Sequence, residues 1–405
     1  MASKGSAVLP FFQCDGITGQ KILHRNPGCS DNGRMIKSCE RIICYYVDKS
    51  PESKGIVFKF FLNPMSKITS PLKHHQTPLR VNQSSLQCLD LSWLGFSEEF
   101  TQVMGNCDWG IEPEVFITKA HWLVHKQMTV EVLRAIEEFC FAPNAPSALL
   151  FKNLPVDNLL PLTPKTSGAS AAKCPISEGL ILGIGRCFGQ PFTYPYLKER
   201  GGLIQDLVPM EAEKNLASTG GSLVELKMHR DFPFHPEATS PDLLFLLCLR
   251  GDSTQKAYTM LCDARTLCNA LEPEDVELLR LHPIEWRFPN ADQYFQKPAI
   301  TGTIENPCVN LTDENVAPGS TIGSPIEEVQ SAYERLREKA AELAAGVFLS
   351  YGDLLIISNK RTVHARASFT PRFDGNDRWL KKIFISFNLW NSGKCQWPSR
   401  EMPLG

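Results

Sequence analysis

The chain has no C-x-x-C pair, although fourteen cysteines are spread over its 405 residues. That absence removes the thioredoxin-like motif and the usual zinc-ribbon spacings. Cys14, Cys29, Cys39 and Cys44, the group nearest the N-terminus, match no common zinc module. Those at 88, 107, 140, 187, 248, 262 and 268 sit in apolar contexts. Free, buried thiols in a reducing, cytoplasmic compartment are the expectation. Charge of one sign is lacking as well: 42 Lys and Arg against 44 Asp and Glu leave a formal net charge of −2. No nucleic acid and no anionic membrane is expected as a partner on that balance. Apolar runs such as LLFLLCL at 243–249 are far too short to span a bilayer. The opening MASKGSAVLPFFQCDG has one Lys and a short apolar run broken by Pro, unlike a signal peptide. What remains is an ordinary globular composition, 43% hydrophobic and 21% charged, long enough to bury a substantial core.

Along the chain, residues 1–90 read as an irregular N-terminal extension packed on the core, turn-rich around one strand candidate at 55–62. Residues 91–405 read as the catalytic domain. TVEVLRAIEEFC at 129–140 places Val130, Leu133, Ile136 and Phe139 at helical spacing, and SALLFKNLP at 147–155 follows as a strand. The Pro/Ser/Ala-rich stretch at 160–175 reads as a surface loop. Further strands are expected at 222–229, 242–250, 256–264, 353–359 and 381–388, and helices at 272–281 and 324–346. Ser324, Pro325 and Glu327 suggest a capping box at the start of the second helix. Between the helices, the polar segment 301–323 reads as a long loop, a candidate lid. Many short strands with inserted helices predict a mainly β fold, a sandwich or jelly roll rather than a doubly wound sheet.

The chemistry is concentrated in two segments. His229 and Asp231 in LKMHRDFPFH are two residues apart, so in extended chain they face one way. His364 in DLLIISNKRTVHARASF comes from a distant strand, and Arg378 follows it by fourteen residues. Two imidazoles and one carboxylate form the facial triad that binds non-haem Fe(II) and leaves positions open for a chelating co-substrate and O2. A structural zinc site would close all four positions, and no fourth ligand is apparent. An H-x-D tripeptide alone is common; the argument rests on the four residues together. His121 and His125, spaced i, i+4, lack a third ligand and read as surface or packing residues, and His235 as a supporting one.

From about residue 147 to 390 the chain resembles the clavaminate synthase-like branch of Fe(II)/2-oxoglutarate-dependent oxygenases, within the taurine dioxygenase group. The matching stretches are LLFKNLPVDNLLP, GQPFTYPYLKERGGLIQDLVP, STGGSLVELKMHRDFPFHPEATSPDLLFLLCLRGD and DLLIISNKRTVHARASFTPRFDGNDRWL. The resemblance implies a double-stranded β-helix (cupin-like jelly roll) core. It implies that His229, Asp231 and His364 bind iron and that Arg378 pairs with the distal carboxylate of 2-oxoglutarate, a bidentate fit that Lys could not reproduce. Thr259 falls where the family places a hydroxyl on the same co-substrate. The branch commonly has Glu as the carboxylate ligand, and Asp231 departs from that; the wider superfamily uses Asp. A carboxylate at this position argues against a halogenase.

The implied reaction converts 2-oxoglutarate and O2 to succinate and CO2 while an unactivated C–H bond of a free amino acid or amino-acid-derived small molecule is oxidised. Hydroxylation, desaturation and ring closure all remain open. Clavaminate synthase and the kainic acid synthases of red algae are examples of the last. Tyr194, Tyr196 and Thr219 are candidates for pocket lining, and Asn310 and Thr312 for substrate contacts. Arginine hydroxylases of the branch carry acidic residues near this last stretch. Here Asp313 is displaced, so a guanidinium substrate is not expected. A catalytically silent jelly-roll binding or sensor protein is the alternative of another class.

Overall fold

The computed structural model describes residues 13–14, 17–20, 45–46, 86–91, 98–108, 110–167, 174–287, 294–312, 323–389 and 400–402. The chain divides into two compact units, Met1–Gln76 and Thr77–Gly405. In the first, strands Gln13–Cys14, Ile17–Gln20 and Tyr45–Tyr46 form a small antiparallel sheet. The strand expected at 55–62 lies outside the described residues.

The second unit is built on two larger sheets. One has the order Leu86–Asp90, Ala148–Lys152, Leu354–Ser358, Leu243–Arg250, Trp379–Ser386 and Gln190–Phe192, with Gln205–Leu207 also pairing to Trp379–Ser386. Only the pairing of Leu86–Asp90 with Ala148–Lys152 is parallel. Leu86–Asp90, the last stretch of the expected extension 1–90, pairs in the sheet of the larger unit. The second sheet is antiparallel throughout, in the order Ala345–Val347, Thr259–Asp263, Thr362–Arg366, Leu226–His229.

The apolar run LLFLLCLR fails to alternate because both faces of its strand are buried. Leu243, Phe245, Leu247 and Leu249 pack, with Ile356 and Ile383, against helix Pro175–Phe188, which in turn packs on Pro113–His125. Leu244, Leu246 and Cys248 face the other way and share a core with Leu261 and Val347 of the smaller sheet. Truncating one of these leucines to Ala would cost about 2–5 kcal/mol. The far side of the smaller sheet, through Met228, Cys262 and Val363, meets Ala332, Leu336 and Ala340 of helix Glu327–Leu343. The layers thus run helices, large sheet, small sheet, helix. None of the helices among the described residues is long and apolar enough to cross a membrane.

Several helices escape the sequence reading. Glu98–Gly105, Pro113–His125 and Pro175–Phe188 join the expected one, observed as Val130–Phe141. Pro175–Phe188 buries most of its residues, so it has no polar stripe from which its period could be read. Gly183 lets it lie close to Pro113–His125: a Cβ there would stand 2.7 Å from the Ala120 carbonyl oxygen. In Val130–Phe141 the buried face is Val132, Ala135, Ile136 and Phe139, and Val130 is exposed. The last helix begins at Glu327 with Ile326 at its N-cap and no side-chain cap; Ser324 Oγ accepts from the Ile326 N–H instead. The expected loop at 301–323 opens as a hairpin of Ile300–Gly302 and Pro307–Val309, and residues 313–322 lie outside the described ones.

Candidate metal centre

His364 lies inside its own strand, Thr362–Arg366, not at the end of the preceding one, and pairs in register with His229 at the end of Leu226–His229. Cross-strand neighbours share a face, so the two imidazoles meet with ring centroids 4.4 Å apart. Asp231 follows two residues after His229. Its Oδ1 lies 3.4 Å from His229 Nε2 and 3.7 Å from His364 Nε2. One ligand atom from each residue falls within 4.8 Å of the others, and all three side chains are buried. No other metal-holding cluster occurs among the described residues.

The donor set fits a cation. His229 Nδ1 lies 2.7 Å from the Lys227 carbonyl oxygen, which can only accept, so the ring proton sits on Nδ1. In that tautomer Nε2 presents a lone pair to the carboxylate. Burial, its largest cause, pushes His364 down to about 3, so that imidazole is neutral at physiological pH. Burial alone would raise the Asp231 carboxyl. Lys382 and the two histidines outweigh it and hold Asp231 well below the usual carboxylate range. Two lone pairs and an anion converging in a buried space call for a positive ion between them.

Arg378 immediately precedes strand Trp379–Ser386. It is buried, and no described residue gives its guanidinium a hydrogen bond or an ion pair. Burial lowers it below the ordinary arginine value, with Cys248 and Asp252 opposing. Thr259 is buried opposite Arg366, two residues from Leu261, which pairs with His364. Thr259 and His364 therefore lie on one face of the smaller sheet. Arg366 points the same way, but its guanidinium is committed to the carbonyls of Gly221 and Val224. Burial and the Arg378 charge push it down to about 10.

The residues expected at the substrate are placed less uniformly. Tyr196 is partly exposed, with its hydroxyl 2.9 Å from His235 Nε2. Tyr194 is fully buried and stacks on Tyr196 at 5.3 Å, its hydroxyl donated to the Thr239 carbonyl. Thr219 is half-buried in the turn before Gly220. Asn310 is buried, its amide oxygen accepting from Arg230 and its nitrogen donating to the Pro298 carbonyl at 3.1 Å. It therefore braces the protein from behind the metal loop. Thr312 is buried too, its backbone held by the Tyr333 hydroxyl. Asp313 lies outside the described residues.

Two residues at the centre are absent from the sequence reading. Lys382 reaches in from Trp379–Ser386, its Nζ 2.8 Å from Asp231 Oδ2 and over the Phe384 ring at 4.7 Å. Arg230, between the two ligands in sequence, is fully buried and points away. It binds both oxygens of Glu237, Ser240 Oγ and the Asn310 amide.

Comparison with known proteins bears on this geometry. The family model described as "Taurine catabolism dioxygenase TauD, TfdA family" matches residues 175–384. The L-lysine 3-hydroxylase of Catenulispora acidiphila is 31% identical over 277 residues, 65% of this chain and 74% of that protein. Clavaminate synthase 2 of Streptomyces clavuligerus is 29% identical over 266 residues, 62% of this chain and 77% of its own. Among solved structures, an asparagine oxygenase in complex with Fe(II), 2S,3S-3-hydroxyasparagine and succinate superposes with a TM-score of 0.69 at 25% identity. It covers 79% of this chain and 99% of that one.

Proposed function

The chain belongs to the TauD, TfdA dioxygenase family, and from that premise we propose that it oxidises an unactivated C–H bond of a free amino acid or a small amino-acid derivative. The observation that carries the reading is the convergence of His229 Nε2, His364 Nε2 and Asp231 Oδ1 in one buried cluster, with the buried Arg378, partnerless among the described residues, acting electrostatically on Arg366 two residues beyond His364. His229, His364 and Asp231 would hold iron(II). When bound, the iron would supply the redox chemistry by which O2 and 2-oxoglutarate are consumed as the C–H bond is oxidised.

The protein's own contribution is placement and exclusion of water. Arg378 would take the distal carboxylate of 2-oxoglutarate through its planar fork, with the Thr259 hydroxyl beside it. Every free amino acid brings a carboxylate of its own. Lys382, on the strand that Arg378 leads into, is the cation that would meet it. Tyr196 would line the outer part of the pocket, with Tyr194 and His235 as its support. The shared core between two sheets supports a double-stranded β-helix. The free cysteines among the described residues support a cytoplasmic, reducing setting.

Hydroxylation is the first reading of the outcome, since the lysine relative is named a 3-hydroxylase and the asparagine oxygenase is solved with 3-hydroxyasparagine. Ring closure is the second, favoured by the similarity to clavaminate synthase 2. The test is an anaerobic titration of the metal-free protein with Fe(II) and 2-oxoglutarate. A weak visible charge-transfer band is expected, shifting when the right amino acid is added. A protein that binds neither would overturn the reading.

A further inference from the structure

Asp231 is the ligand of the three that lies outside a strand, and the residue after it, Phe232, has φ 53°. That is the left-handed region, disfavoured for an aromatic side chain and held only where the surroundings impose it. What holds Asp231 comes from far along the chain. The Asn359 carboxamide is fully buried. Its Oδ1 accepts from the Asp231 N–H at 3.0 Å, and its Nδ2 donates to the carbonyls of Asp231 and Pro241, each at 3.0 Å. One N–H on one side and two carbonyls on the other leave a single way for the amide to lie. The side chain thus grips Asp231 as a neighbouring strand would, at a point where no strand runs.

Asn359 occupies the turn between Leu354–Ser358 and Thr362–Arg366, the second of which carries His364. Its backbone N–H donates to the Asp242 carbonyl at 2.9 Å, anchoring the turn itself. We infer that Asn359 is a positioning residue for the metal centre. Its carboxamide ties the Asp231 main chain to the turn that leads into the His364 strand, so that Oδ1 is delivered to both imidazole nitrogens. The inference rests on the proposed iron site, and no ligand atom of its own is involved.

The test is Co(II) titration of the metal-free protein, followed by absorption, with melting temperature measured on the same samples. Asn359→Ala is expected to weaken Co(II) binding by about 10- to 100-fold, the range seen when a group supporting a ligand is removed. Ser177→Ala is the comparison: it removes a buried hydrogen bond to Asp157 Oδ2 at 2.5 Å, away from the centre. It is expected to lower the melting temperature without changing Co(II) affinity. Wild-type affinity in Asn359→Ala would overturn the inference, whatever happens to its melting temperature. If Asn359→Ala does not fold, Asn359→Ser is read by the same criterion. A wild-type protein that takes up no Co(II) would remove the proposed iron site and the inference together. Equal binding by wild type and variant would remove the inference alone.

Discussion

Lys381 and Lys382 are neighbours in one strand and serve opposite faces of its sheet. Lys381 Nζ lies 3.0 Å from both Asp206 Oδ1 and Glu178 Oε1. Lys382 Nζ lies 2.8 Å from Asp231 Oδ2. Burial works against the Lys381 charge, but the two carboxylates outweigh it and raise its pKa above the ordinary lysine value. Two residues of one chemical type, adjacent in sequence, thus divide into a fold brace and a site cation.

The division gives paired expectations. Lys381→Met leaves Asp206 and Glu178 buried without their ammonium, which should cost about 3–5 kcal/mol of stability. Urea denaturation would read it, and metal binding should survive. Lys382→Met should instead raise KM for the amino-acid substrate by about 10- to 100-fold, the worth of a charged hydrogen bond. Its apparent requirement for 2-oxoglutarate should stay put. A Lys382→Met enzyme with an unchanged KM for every accepted amino acid would rule out a role in substrate binding.

His229→Ala should abolish substrate-dependent succinate formation, because it removes one of three ligand atoms and no fourth ligand joins the cluster among the described residues. The assay is succinate release with iron(II), 2-oxoglutarate and an accepted amino acid. Full retention would refute the metal assignment.

Arg378→Ala should raise the 2-oxoglutarate concentration needed for half-maximal rate by about two orders of magnitude, as for a truncated buried charge pair. Arg378→Lys keeps the charge but not the fork and should recover only part of it. Steady-state kinetics at saturating amino acid would separate the two. Equal behaviour of Arg378→Ala and wild type would remove Arg378 from the co-substrate site.

Acid should loosen the metal-free protein in a defined window. His235 is pushed to about 3 by burial and the Lys297 and Arg230 charges, and His364 to about 3 chiefly by burial, from an ordinary 6.5. Between those values the unfolded chain binds protons that the folded one refuses, so stability falls as pH drops from about 6.5. Glu237, held at about 2 against burial mainly by Arg230, adds its loss only below its ordinary 4.5. Melting temperature measured from pH 6.5 to 5 should therefore decline, and His235→Gln should flatten the slope. An unchanged slope in that variant would show that His235 does not carry it.

The parts of this fold legible in the sequence are those with a short-range signature. LLFLLCLR, DLLIISN and KKIFISFN read as strands because β-branched and long apolar residues crowd them, and strands are there. Helix Pro175–Phe188 was illegible because it is apolar nearly all round. His229, Asp231 and His364 could be proposed from residue type and order, and their meeting depends on a register no local pattern states. Lys382 was within reach: counting by twos from Arg378 along the strand puts it on the same face. Asn359 was not, since its contact with Asp231 spans 128 positions and an Asn beside a turn is commonplace.

The Arg378 guanidinium, partnerless among the described residues, also bears on the protein's thermal stability. A buried cation with no acceptor among the described residues costs stability that packing alone would not. On the proposed reading, an anion bound there would recover the difference, and the co-substrate would act as a folding ligand as well as a reactant. On that reading, an apolar residue in place of Arg378 would gain heat resistance and lose the anion.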